Sequence, residues 1–242
     1  MSKVTTHWRS PRLHEEIQLI RWGEVGVPVL VLPTAGGDAE EIERFLMIDA
    51  LAELLAAGRI KVYSTDSIAG RVLLADEGSP DHQAWVQSEF HHMIRHEVVP
   101  AIRTDCRSAD IQVISAGSSI GALNALAMLC RYPDAFSAAV CMSGTYDIER
   151  FHDGPLSMDL YYSSPLHFLE QLDGEHLRQL RQRFVIFASG EGRWENIGET
   201  WQIAHVLGQK GIPNRVDPWG TDWDHDWPTW RRMLPKYLDE LT

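Results

Sequence analysis

The pentapeptide Gly117-Ser118-Ser119-Ile120-Gly121 has the spacing G-x-S-x-G, a pattern associated with a nucleophilic serine. Residues 111–116 before it form a short apolar run, typical of a strand buried on both faces. Residues 122–131 after it are rich in alanine, leucine and methionine, which favours a helix. A serine on the turn between strand and helix has its hydroxyl exposed above the sheet. Ser119 is therefore the predicted nucleophile.

A serine hydroxyl is a weak nucleophile, so it needs a base, and the base needs an acid that orients it. In sites built on such a turn, the chain order is serine, then acid, then histidine. His225 is the only one of the eleven histidines that follows a predicted strand downstream of Ser119. The order of the chain therefore predicts His225 as the general base.

Three carboxylates are candidates for the orienting acid. Glu195 is the first choice because it lies deep in the loop after the predicted strand 184–188, just before a predicted helix. Glu191 in the same loop and Asp147 in the loop after the preceding strand remain alternatives. A carboxylate at the position of Glu195 could also simply complement the dipole of the following helix.

An oxyanion formed at the attacked carbonyl requires two backbone amides. The amide of Ile120 opens the predicted helix and is the first expected donor. Ala35 is the expected second donor, because it lies in the loop Pro33-Thr34-Ala35-Gly36-Gly37 after the predicted strand 27–32. The two glycines would let this loop approach Ser119, although a plain turn would use them equally well.

Other chemical patterns in the chain are incomplete. His92 and His96 have the i, i+4 spacing of a metal-binding pair, but no third ligand accompanies them. The three aspartates of 222–226 lack the glycine and distal glutamate of a calcium loop. The sequence has neither a glycine-rich phosphate loop nor a dinucleotide-binding fingerprint. We therefore expect no metal and no cofactor.

Composition narrows the class of protein. A formal net charge of −12 disfavours nucleic acid and anionic membranes as partners. No apolar run approaches the length of a membrane span, and residues 1–11 lack the apolar region of a signal peptide. The three cysteines show no metal-ligand spacing, and two lie in apolar segments, which favours a reducing cytoplasm. A chain of 242 residues that is 44% hydrophobic is expected to form one domain, 1–242.

Strand-like and helix-like segments alternate along the chain, which predicts a mostly parallel sheet with helices on both faces. The other predicted strands are 4–9, 17–22, 27–32, 60–65, 138–142, 184–188 and 215–218. The other predicted helices are 40–57, 201–210, 227–241 and a long helix contained within 81–103. In such sheets, function is located at the carboxyl ends of the strands.

The segments Gly117–Ala122 and His225-Asp226-Trp227-Pro228-Thr229-Trp230 resemble the Putative esterase family of α/β-hydrolases. This family includes esterase D (S-formylglutathione hydrolase), feruloyl esterases, enterochelin esterases and the antigen 85 mycolyltransferases. The segments 33–37 and 141–147 are also similar to it. The resemblance implies an α/β-hydrolase fold and an acid in the loop that contains Glu195. Many members have His-Gly-x-Gly-Gly where this chain has Pro33-Thr34-Ala35-Gly36-Gly37, with Ala35 at the matching donor position.

Together these features predict a serine carboxylesterase that acts on a small-molecule ester. The segment between the predicted strands 138–142 and 184–188 is too short for a large lid, and its apolar residues can form only a small wall. A small pocket suits short acyl chains. Two alternatives are an acyltransferase with the same three residues and a non-catalytic binding module on a hydrolase scaffold.

Overall fold

The computed structural model describes residues 2–242, and its central feature is one eight-stranded sheet. The strands lie in the order β1-β2-β4-β3-β5-β6-β7-β8. Strands β1 and β2 form an antiparallel hairpin, and β2 pairs antiparallel with β4, whereas β3 to β8 pair in parallel. Their bounds are β1 Lys3–Arg9, β2 Glu16–Trp22, β3 Val27–Leu32, β4 Ile60–Thr65, β5 Val113–Ser118, β6 Phe136–Met142, β7 Phe184–Ser189 and β8 Asn214–Pro218.

Helices cover both faces of this sheet, as predicted. Helices α1 to α3 and α12 pack with one hydrophobic cluster, and α4 to α7 and α11 pack with another. Their bounds are α1 Glu41–Arg44, α2 Met47–Ala50, α3 Ala52–Ala56, α4 Ile68–Leu74, α5 Pro80–Met93, α6 Val99–Asp105, α7 Ile120–Arg131, α8 Met158–Ser163, α9 Pro165–Phe168, α10 Gly174–Leu180, α11 Ile197–Gln209 and α12 Trp227–Leu241.

The central strands and α7 form the rigid centre of the molecule. Every residue of β4 and β5 is buried, and so is every residue of α7 except its last. A strand whose two faces are both buried and a helix that is apolar around most of its circumference pack in the interior of a fold. The turn between β5 and α7, which contains Ser119, is therefore held by two fully packed elements.

The predicted helix 40–57 is wrong in one respect, because three short helices, α1 to α3, replace it. The break occurs at Leu46, whose φ is +60°, in the left-handed region. It leaves Phe45 free to stack on Trp227 of α12, with the ring planes 1° apart and the ring centroids 4.8 Å apart. A contact between distant parts of the chain thus accompanies the break in the local helical pattern.

The long helix predicted within 81–103 is interrupted rather than absent. Helix α5 ends at Met93, a π-helical turn spans Ile94–Val98, and α6 begins at Val99. Pro100 lies in the first turn of α6, where its missing N–H and its ring would disrupt a continuous α-helix. Helix α4, which follows β4, was not predicted.

The segment between β6 and β7 forms only short helices, which agrees with the predicted absence of a large lid. Leu160 of α8 is buried, whereas Phe151, Met158 and Tyr162 are exposed. Among residues 2–242, no helix has both the length and the apolar character needed to cross a bilayer.

Candidate active site

Ser119 occupies a strained turn between β5 and α7. Its φ of 57° and ψ of −125° lie outside the regions that a non-glycine residue ordinarily adopts. Two glycines make the turn possible, because without a Cβ they let neighbouring backbone segments approach closely. A Cβ on Gly117 would collide with the carbonyl oxygen of Gly121, and a Cβ on Gly121 would lie 2.5 Å from the carbonyl oxygen of Leu32. The local geometry is that of a nucleophile elbow, with Ser119 partly exposed.

Glu195 and His225 lie together beyond the carboxyl ends of β7 and β8. His225 Nδ1 is 3.5 Å from Glu195 Oε2, and the Glu195 side chain is only 1% exposed against 21% for His225. Such a distance is longer than a well-formed hydrogen bond, but bonds of this kind often tighten when a substrate binds. A buried carboxylate beside one ring nitrogen leaves Nε2 as the nitrogen available for proton transfer.

The two other candidate acids lie elsewhere. The side chains of Glu191 and Asp147 are exposed, and the Asp147 carboxylate accepts a hydrogen bond from the amide of Glu149 at 3.1 Å. Within residues 2–242, Glu195 is the one carboxylate found within 4.0 Å of a ring nitrogen of His225. The geometry thus favours Glu195 over its two alternatives.

Ser143 joins the carboxylate to the rest of the site, and its part was not predicted. Its hydroxyl donates to Glu195 Oε1 and accepts a hydrogen bond from Trp230 Nε1 at 3.0 Å. The Trp230 ring packs edge-on against His225, with the ring centroids 5.1 Å apart. Ser143 has a φ of 46°, unusual for a non-glycine residue. Ser143 directly follows β6, which pairs with the strands that precede Ser119 and Glu195. This position is the sequence signal that could have identified Ser143.

Hydrogen bonds between two loops hold the acid and the base in register. The amide of Gly192 donates to Trp223 O at 3.0 Å, and the amide of His225 donates to Arg193 O at 3.0 Å. The amide and the guanidinium of Arg193 both bind the Asp224 carboxylate. These bonds from Arg193 hold the pKa of the Asp224 carboxyl below its ordinary value. Asp224 therefore serves the loop structure, and Asp226 caps α12 by accepting a hydrogen bond from the amide of Thr229.

The two predicted oxyanion donors lie where the end of β3 meets the start of α7. Ile120 is the first residue of α7, so its amide has no intrahelical acceptor. Within residues 2–242, the amide of Ala35 donates to no backbone carbonyl. Ala35 also packs against the small hydrophobic cluster that contains Ile120.

Glu41 of α1 supports the loop that carries Ala35. Its carboxylate accepts hydrogen bonds from the amide of Thr34, at 2.8 Å, and from the Thr34 hydroxyl. Burial raises the pKa of the Glu41 carboxyl above its ordinary value, and the bonds from Thr34 partly oppose this rise. Glu41 is a second residue of the site that sequence reasoning missed.

The histidine pair on the α5 side of the molecule has protein partners. His92 is 3.2 Å from the hydroxyl of Tyr132 and 3.3 Å from a guanidinium nitrogen of Arg131, and its ring stacks on that of His96. No group of three or more metal-ligating side chains with the geometry of a metal site occurs in residues 2–242. A surface cleft of about 480 Å³, lined by Arg21, Lys61 and others, lies at the amino ends of the strands, away from Ser119.

A strained serine after β5 and a carboxylate–histidine pair after β7 and β8, on a mostly parallel sheet, place this chain among the α/β-hydrolases. Residues 58–240 match the family described as "Putative esterase", and the chain belongs to that family. It is accordingly a carboxylic-ester hydrolase.

Several solved structures share this fold at low sequence identity to the chain. One is a ferulic acid esterase, with 16% identity, a TM-score of 0.75, and coverage of 100% of this chain and 97% of that one. A second, a fluorophosphonate-binding serine hydrolase of Staphylococcus aureus, has 12% identity, a TM-score of 0.73, and coverage of 99% and 98%. A third, an S-formylglutathione hydrolase from Agrobacterium tumefaciens, has 12% identity, a TM-score of 0.73, and coverage of 98% and 93%. No curated protein matches the sequence significantly.

Proposed function

We propose that this chain is a single-domain serine carboxylesterase that hydrolyses small, short-acyl esters through Ser119, His225 and Glu195. The observation that carries the proposal is the buried Glu195 carboxylate beside His225 Nδ1, at the same carboxyl edge of the sheet as a serine on a strained elbow. This arrangement supplies the parts that an acyl-transfer site requires, in the chain order of α/β-hydrolases.

In the proposed reaction, Ser119 Oγ attacks the ester carbonyl while His225 Nε2 takes the hydroxyl proton. The amides of Ile120 and Ala35 stabilise the negative charge on the carbonyl oxygen. The imidazolium then gives its proton to the departing alcohol, which leaves an acyl group on Ser119. Water attacks this acyl-enzyme with His225 again as base, and the acid is released. Glu195 holds the ring orientation and stabilises the imidazolium throughout.

The surroundings of Ile120 support short acyl chains. Ala84, Leu123, Ile148 and Leu160 are buried and form a small hydrophobic cluster with Ile120. Only short helices lie between β6 and β7, next to this cluster. With no large helical lid over the site, small acyl groups suit this region better than long lipids.

A fluorophosphonate probe followed by peptide mass spectrometry tests the nucleophile. The adduct is expected on Ser119, because an activated serine is far more reactive than an ordinary hydroxyl. Ser119→Ala should abolish labelling and lower kcat on p-nitrophenyl acetate or butyrate by about 10³-fold or more. Ser118→Ala is the matched control, since Ser118 is the buried last residue of β5. An adduct on Ser118, or activity that survives Ser119→Ala, would refute the proposal.

A further inference from the structure

Trp194 is the most exposed large apolar side chain among residues 2–242, with 87% of its surface accessible to solvent. Its φ of 67° lies in the left-handed region, where a bulky residue is rare and glycine is favoured. The loop therefore keeps a large aromatic side chain in solvent on a strained backbone, without the packing that an aromatic ring gains in a core. A residue that costs stability in both ways points to a role in binding rather than in folding.

The contacts of its two neighbours place Trp194 beside His225. The carbonyl oxygen of Arg193 accepts a hydrogen bond from the amide of His225 at 3.0 Å. The carboxylate of Glu195 lies 3.5 Å from His225 Nδ1. Trp194 is bonded directly to both neighbours, so its Cα lies about 3.8 Å from each of theirs. These two links fix the backbone of Trp194 against the loop that contains His225.

The alcohol portion of an ester substrate comes to this side of the site. His225 gives its proton to the leaving alcohol, so the alcohol oxygen must lie within hydrogen-bond reach of Nε2. The rest of the alcohol then extends away from Ser119, toward the loops that surround His225. A side chain at the rim of His225 is thus placed to contact the alcohol.

The two tryptophans that flank the general base in the chain already have aromatic partners within the protein. Trp223 packs edge-on against Trp219, and Trp227 stacks on Phe45, each with the ring centroids 4.8 Å apart. Among residues 2–242, the ring of Trp194 has no such partner. Its flat face is therefore free to stack on a planar ring of a ligand. An aromatic ring gains more from this contact than the burial of its area alone supplies.

We propose that this enzyme prefers esters of alcohols that contain an aromatic ring, with Trp194 stacking on that ring as a specificity-determining residue. The inference rests on the proposed function, since it assigns His225 to the leaving alcohol. The alcohol is still present in the transition state of acylation, so the contact raises kcat/KM for such esters.

The test compares benzyl butyrate with cyclohexylmethyl butyrate, which share one acyl group and both release a primary alcohol. Hydroxide-catalysed hydrolysis of the two esters gives their intrinsic ratio of reactivity. The enzymatic ratio of kcat/KM should exceed the intrinsic ratio by about three- to tenfold, the range expected of one aromatic stacking contact. Trp194→Gly should bring the two ratios together, and Trp194→Phe should keep part of the preference. Trp201→Ala is the matched control and should keep all of it, because Trp201 is also exposed, at 51%, but lies in the regular helix α11.

The stability of Trp194→Gly separates a binding role from a structural one. Its unfolding midpoint in urea should stay close to that of the wild type, because relief of backbone strain offsets the greater freedom of glycine in the unfolded chain. A marked loss of stability would show that Trp194 serves the fold, and it would overturn the inference.

Equal enzymatic and intrinsic ratios, with hydrolysis that depends on Ser119, would overturn this inference alone. A preference that survives Trp194→Gly would also overturn it, because the aromatic ring would then be bound elsewhere. Hydrolysis that survives Ser119→Ala would instead refute the proposed function.

Discussion

At the scale of single residues, Ser143 connects three parts of the site that are far apart in the chain. Its one hydroxyl proton goes to Glu195, while its lone pair receives the indole N–H of Trp230. Ser189 also approaches Glu195 Oε2, at 3.4 Å, but its hydroxyl donates to the carbonyl of Gly190 at 3.0 Å. Ser143 is therefore the stronger support of the buried carboxylate.

Ser143→Ala should lower kcat by about tenfold or more, because a hydrogen bond to a charged group is worth roughly 1.5–3 kcal/mol. Steady-state kinetics measure this effect, and Ser189→Ala should change kcat much less. Equal effects of the two substitutions would show that Ser143 has no special part in orienting Glu195.

Replacing Glu195 tests the choice of acid directly. Glu195→Gln should lower kcat by about 10²–10⁴-fold with the fold intact, because an amide cannot stabilise the imidazolium and can favour the wrong tautomer. Glu191→Gln should have little effect, since the Glu191 side chain is exposed. Kinetics with p-nitrophenyl butyrate, beside circular dichroism, measure the difference. The opposite pattern would transfer the role to Glu191, and no effect of either would favour Asp147.

At the scale of secondary-structure elements, the approach of α7 to the end of β3 builds the elbow and its oxyanion site together. Gly121 is the contact point, because no side chain fits between α7 and the carbonyl oxygen of Leu32. The same approach brings the amide of Ile120 toward the loop of Ala35. The distance between these two elements therefore determines both the serine turn and the proposed oxyanion donors.

Gly121→Ala should force α7 away from β3 and lower the free energy of unfolding by about 1–3 kcal/mol, with a larger loss of kcat. Gly208→Ala in α11 is the matched control, because nothing lies within 4 Å of the added Cβ. That substitution should stabilise the protein by up to about 1 kcal/mol. Urea denaturation and kinetics measure the two effects. A Gly121→Ala variant with normal stability and activity would contradict the role assigned to this contact.

At the scale of the whole molecule, a buried polar network joins α5 to α7. His91 is fully buried, 2.9 Å from Asn124 Oδ1 and 3.1 Å from a guanidinium nitrogen of Arg131. Burial, with the positive charge of Arg131, lowers the pKa of His91 to about 3. His91 is therefore neutral in the folded protein over the whole range in which an unfolded histidine, with a pKa of about 6.5, takes up a proton.

This difference makes the fold sensitive to acid. Below about pH 6.5 the unfolded chain binds a proton at this histidine that the folded chain does not bind, so stability falls as pH falls toward 3. Between pH 7 and pH 4 the loss from this one group is roughly 2–4 kcal/mol. His91→Gln should reduce that loss, whereas exposed His205→Gln should not. Urea denaturation at both pH values measures it, and an unchanged pH dependence in His91→Gln would contradict the effect.

Much of the fold was determined by local sequence. Strands β3 and β4 and helix α12 have the predicted bounds, because apolar periodicity and capping residues act within a few positions of one another. The elbow is also determined locally, because its turn requires a glycine two residues to either side of Ser119. The family also follows from short segments around Ser119 and His225.

Which side chains meet depends on contacts between elements that are distant in the chain. Ser143 is 52 residues from Glu195 and 87 from Trp230 in the chain, so no local pattern links them. The break at Leu46 accompanies a stack of Phe45 on Trp227, a contact across the sheet face that helical periodicity does not contain. Glu195, Glu191 and Asp147 are chemically equivalent candidates in the sequence. Their difference arises because loop contacts bury one carboxylate against His225 and leave the others in solvent.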